Sequence, residues 1–116
     1  GNFLGLQMRR GVILVAKDVG DNCCNNMIAG TVILKQHFGK QLGLGMKRGS
    51  IILVKQKLKS ANFIDTGESK SLFFNLLNNY FLKVSSIKLF NNKDKFVRFV
   101  GDIKMDGMGE VFVKMD

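Results

Sequence analysis

The strongest constraint on this chain is a repeat. Written from its first residue it reads GNFLGLQMRRGVILVAKDV, then GDNCCNNMIAGTVILKQHF, then GKQLGLGMKRGSIILVKQK, three lines of 19 residues without an insertion. Gly1, Gly20 and Gly39 share one column, Met8, Met27 and Met46 a second, and Gly11, Gly30 and Gly49 a third. Ile13, Val32 and Ile51 also align, as do Val15, Leu34 and Leu53. Self-similarity at a fixed period implies units that fold alike and stack, because one such unit cannot bury its apolar face alone.

Each unit holds a glycine-rich turn, a methionine three residues before a glycine, and one aliphatic, β-branched run. At about 3.3 Å per residue a unit traces roughly 60 Å, a suitable perimeter for one coil of a solenoid whose strands pair about 4.8 Å apart. A leucine-rich repeat has a longer period and an LxxLxL signature that is missing here. The expected fold is all-β: a right-handed parallel β-helix, a single-stranded solenoid of 19-residue coils. Residues 1–57 supply three coils, and residues 58–116 supply a C-terminal helix and capping strands of the same domain.

The columns then take physical roles. Met8, Met27 and Met46 are expected to stack inward as adaptable filler. Gly11, Gly30 and Gly49 suit a corner that needs positive φ or a close backbone approach. Leu4, Cys23 and Leu42 form a second inward column, which makes Cys23 a small buried hydrophobe; Cys24 falls in a glycine column with Gly5 and Gly43. Alternation along the strand turns Leu14, Ile33 and Ile52 the other way. An apolar ladder on an outer face is covered by another part of the chain or by a partner, so these three residues are the candidate interface.

After Lys59 the period is lost. SANFIDTGES reads as a polar connection, and Leu72, Phe73, Leu76, Leu77, Tyr80 and Phe81 recur at helical intervals, with Thr66, Ser69 and Ser71 as N-cap candidates. Phe96–Val100 and Val111–Val113 read as short strands, with Gly107 and Gly109 marking the turn between them. The last coil of a solenoid leaves an open core and an unpaired edge, and a helix with irregular strands is suited to closing both.

Charge and composition exclude several classes of function. The balance of 18 basic against 9 acidic residues, net +9, raises the odds of a polyanionic partner. The lysines flank apolar strands and do not interleave with aromatics, so specific nucleic-acid binding is not expected. Thirteen glycines and no proline fit tight turns between strands that use all their N–H groups. No apolar run approaches a membrane span. Adjacent Cys23 and Cys24 offer no long-range disulfide framework, and the single His37 leaves no Cys/His zinc set, so a reducing, cytoplasmic setting is expected. The run GKQLGLGMKRGS lacks both GK[ST] and a complete GxGxxG, so it is a copy of the repeat and not a phosphate loop. No carboxylate pair or nucleophile–base set shares a column; catalytic, cofactor-binding and metal residues are assigned to none, and no cofactor is expected.

The repeat G-[ND]-x-[LC]-x-x-x-M-x-x-G-x-[IV]-x-[VL] resembles a β-helical repeat found in one of the subunits of formylmethanofuran dehydrogenase and in the C-terminal domain of the glutamate synthase large subunit. The second half, an apolar helix, an aromatic strand ending in Gly101 and Asp102, and then Gly107, Met108, Gly109, Glu110 and Val111, is similar to the C-terminus of that dehydrogenase component and of its bacterial counterpart in the formyltransferase/hydrolase complex. Lys40, Cys24 and Asn25 depart from the repeat pattern. The resemblance implies one-carbon metabolism on furan and pterin carriers and a scaffolding role, with catalysis in other chains of an oxidoreductase or formyl-transferring complex. Its partners would be those chains or a second copy. The other reading is a stand-alone β-helix module, like the glutamate synthase domain, binding an anionic partner through its basic surface.

Overall fold

The computed structural model describes residues 11–69, 72–91 and 93–116. The aliphatic runs of the repeat form strands β1 (Val12–Val15), β2 (Thr31–Leu34) and β3 (Ser50–Leu53), which lie side by side in parallel. Val12 pairs with Thr31 and Thr31 with Ser50, so the register follows the 19-residue period. The connecting loops stack as well. The Val19, Asn22 and Asn26 N–H groups donate to the carbonyls of His37, Lys40 and Leu44 at 2.9, 2.9 and 2.8 Å. Gly39, Gly43 and Lys47 N–H donate in turn to Gly20, Cys23 and Met27 at 3.2, 2.9 and 2.9 Å. His37 N–H donates to Asp18 Oδ1 at 3.0 Å, the main reason that this exposed carboxyl sits below its ordinary pKa.

The expectation of a single-stranded, all-β solenoid has to be corrected. The architecture is one mixed sheet of six strands in the order β1-β2-β3-β6-β5-β4, with one α-helix. The repeat strands end at β3. Strand β4 (Phe63–Ser69) follows, then α1 (Leu72–Ser85), β5 (Phe96–Gly101), a single 3-10 turn (Ile103–Met105) and β6 (Gly109–Lys114). Strand β6 runs parallel to β3, with Ile52 opposite Phe112, but antiparallel to β5, which is antiparallel to β4. Chain from the second half thus completes the sheet where a fourth repeat would have been needed. Residues read as a polar connection form β4 and include Thr66 and Ser69, which are therefore not helix caps; Ser71, the third cap candidate, lies outside the described residues. The pattern of this strand is weak because only Phe63 among its seven residues is buried, and its register slips between Asp65 and Glu68, around the positive-φ Gly67.

Two apolar clusters lie on the two faces of the sheet. One holds Met27 and Met46, both fully buried, with Cys23, Leu42, Val32, Leu34, Ile51, Leu53, Phe63, Val111 and Val113. Gly1 and Met8 lie outside the described residues. Gly11, Gly30 and Gly49 all have positive φ, at 98°, 90° and 103°. At Gly49 a Cβ would also lie 2.9 Å from Met27 Cε and 3.2 Å from the Gly30 carbonyl oxygen, so the stacked corner has no room for a side chain. Gly20 and Gly39 meet in the stacked turn, where the Gly39 N–H reaches the Gly20 carbonyl.

Candidate functional site

The second cluster contains the ladder. Ile33 and Ile52 are completely buried, and Leu14 packs half-buried against the same group. Phe112 continues the row from β6, and Arg98 pairs with it from β5. The cover is α1: Phe74 and Leu77 descend onto the sheet with Phe81 at the margin, and Leu89 and Phe90 close the far side. Phe74 stacks on Phe96 with ring centroids 4.2 Å apart and meets Phe112 edge-on at 5.0 Å. Burial of the ladder and these rings is the main force holding helix to sheet. The ladder is therefore an interface between two parts of one chain.

One polar residue sits within that apolar contact. Asn78, 2% exposed, accepts from Leu89 N–H at 2.9 Å through Oδ1 and donates Nδ2 to the Phe90 carbonyl at 2.7 Å. It fixes the helix to the loop that follows, which pure burial would leave free to slide. A second polar lock lies at the opposite end of the sheet. Asp102 is fully buried, and its carboxylate accepts from Gly45 N–H at 2.9 Å, Asn62 Nδ2 at 3.2 Å and Lys104 N–H at 3.0 Å. Its N–H donates to the Met46 carbonyl at 3.0 Å. One side chain thus ties the third repeat to the start of β4 and to the turn before β6. Asn78 is not among the residues that the sequence singles out, and Asp102 enters there only through the resemblance, with no role assigned. Asn78 is detectable as a polar residue four positions after Phe74 in the buried stripe of α1; Asp102 carries no local signal for a partner 57 residues away.

The two thiols lie inside the fold. Cys23 and Cys24 are buried with their sulfurs 3.5 Å apart. The hydrogen bond with Cys23 and then burial push the Cys24 thiol well above the ordinary range. Among the described residues no three His, Cys, Asp or Glu side chains come together to hold a metal ion. Arg98 and Glu110, 2.5 Å apart and about one-third exposed, bridge β5 and β6, and Arg98 also reaches Thr66 Oγ1 at 3.3 Å. These contacts hold strands β4, β5 and β6 to one another.

What remains open is the outer side of α1. Leu76, Tyr80 and Val84 follow one another at four-residue steps and are 66%, 55% and 62% exposed, an apolar stripe beside the buried one. No acidic residue occurs in the helix, and Lys83 in its last turn is its one charged residue. Among the described residues no helix is long and apolar enough to cross a membrane.

No family model matches the chain, and no curated protein does. A solved structure does. A chain in the crystal structure of the formyltransferase/hydrolase complex (FhcABCD) from Methylorubrum extorquens in complex with methylofuran aligns with 99% of this chain, at a TM-score of 0.86 and 30% identity. This chain spans 43% of that chain's length. The likeness takes in α1 and β4–β6 as well as the repeats, so it concerns the whole arrangement of helix on mixed sheet and not the repeat alone.

Proposed function

We propose that the chain is a non-catalytic, structural component of a multi-subunit complex of the formyltransferase/hydrolase kind, serving one-carbon metabolism. The carrying observation is the likeness across 99% of the chain, at 30% identity, to a chain of such a complex. The outer stripe of α1 supports the reading, because an exposed apolar stripe on one helix marks a contact surface. So do Asp102 and Asn78, whose polar atoms are spent on the protein's own backbone and side chains. On this reading the partners are the other subunits, the chain holds no cofactor of its own, and the setting is cytoplasmic.

Reconstitution tests the role. The other subunits of the complex are co-expressed with and without this chain, and formyl transfer is measured on each preparation and on the chain alone. Assembly and formyl transfer should both depend on the chain, while the isolated chain turns over no formyl substrate. Activity of the isolated chain, or full assembly without it, would refute the role.

A further inference from the structure

The stacking of the repeat loops identifies which backbone groups should meet a further layer. Val19, Asn22 and Asn26 donate to the next layer, and Gly20, Cys23 and Met27 accept from it. Adding the 19-residue period gives Phe38, Gln41 and Gly45 as the donors of the last layer, and Gly39, Leu42 and Met46 as its acceptors. The outer positions have substitutes. Phe38 N–H meets Gln56 Oε1 at 2.8 Å, Gly45 N–H meets Asp102 Oδ2 at 2.9 Å, and the Met46 carbonyl meets Asp102 N–H at 3.0 Å. The central positions do not: among the described residues Gln41 N–H has no acceptor, and the Gly39 and Leu42 carbonyls have no donor.

These three groups line one cleft. Its volume is about 440 Å³, and it lies between the segments 38–42 and 56–60, where the chain leaves the stack. Phe38, Leu42 and Leu58 give it apolar lining. Lys40 and Lys59 stand at its rim, in one column of the repeat, and are exposed and without an ion pair among the described residues. The third lysine, Lys57, is already held by Asp116 at 3.0 Å.

We infer that this cleft binds a short, extended, acidic peptide segment of another protein, laid where the next layer of the repeat would pass. An extended peptide presents alternating carbonyl and N–H groups, the complement of a free donor flanked by free acceptors, and strand-like addition to an unpaired backbone is an established mode of recognition. Charge selects the side chains: two free lysines on a chain of net charge +9 favour Asp and Glu. The apolar lining suits an aliphatic residue between the acids. A small anion satisfies the lysines but leaves the two carbonyls without donors. The inference stands whichever complex the chain serves.

The test is nuclear magnetic resonance titration of the 15N-labelled full chain. The probes are acetyl-Glu-Val-Glu-Val-Glu-amide, its lysine counterpart, a version with N-methylated backbone, and glutarate as a free dicarboxylate. The acidic peptide should shift the Gln41 amide saturably. N-methylation, or the double variant Lys40→Glu/Lys59→Glu, should weaken binding by about tenfold or more, and the lysine peptide should leave the signal in place. Because both lysines are exposed, the double variant should melt with the parent. Absence of a saturable shift, equal affinity for glutarate and peptide, or unchanged binding by the double variant would each overturn the inference.

Discussion

Ile33→Lys should destabilise the domain by about 4 kcal/mol or more, a large share of the roughly 5–15 kcal/mol that holds a domain of this kind together. Ile33 is completely buried in the middle of β2, between Leu14 and Ile52 on its neighbours and beneath α1. A lysine there must either bury its ammonium among phenylalanines and leucines, with no carboxylate in the cluster to pair with, or push the helix off the sheet. Ile33→Val, which removes one methylene, should cost about 1 kcal/mol. Thermal melts followed by circular dichroism distinguish these outcomes. A lysine variant that melts with the parent would show that α1 does not depend on the ladder.

Asp102→Ala is expected to cost about 3 kcal/mol, because it strands the buried Gly45 N–H and the Asn62 amide together, at about 1–3 kcal/mol for each unsatisfied group. Lys104 N–H, in an exposed turn, recovers a water partner. Asp102→Asn, which keeps one acceptor oxygen in the same volume, should lose about half as much. Denaturant titration measures both, and hydrogen exchange localises the damage. Gly45 N–H should lose its protection in the alanine variant while the β1–β2 amides keep theirs. A loss below about 0.5 kcal/mol would mean that the sheet and backbone bonds such as Asp102 N–H to the Met46 carbonyl hold the third repeat without the Asp102 side chain.

How far the sequence could be read depends on the range of the interactions involved. The 19-residue period survives as strand register because stacked copies must align equivalent residues, and alternation within each short strand separates Ile33 and Ile52 from Val32 and Ile51. The helix was visible from the spacing of Leu72 to Phe81, although it runs on to Ser85. The fold class was not legible. Periodicity describes what each repeat does to its neighbour and carries no information about which chain lies against the last one. That place is taken by β6, whose partner β3 lies far back in the sequence, and by the antiparallel strands beyond it. Strand β4 is held by pairing with β5 and has no buried face to imprint a pattern, so FIDTGES looked like a loop. The Asp102 lock was hidden for the same reason: its donors on Gly45 and Asn62 are assembled only by the completed fold.

Native mass spectrometry of the complex recovered from its own cells through a tag on this chain tests whether the chain is, as proposed, a built-in part of a formyltransferase/hydrolase type of assembly. One stoichiometric assembly is expected, containing the formyl-transferring and hydrolysing subunits and lost when the Leu76–Tyr80–Val84 stripe is replaced by serines. Recovery of the chain only as a monomer or as copies of itself would contradict it.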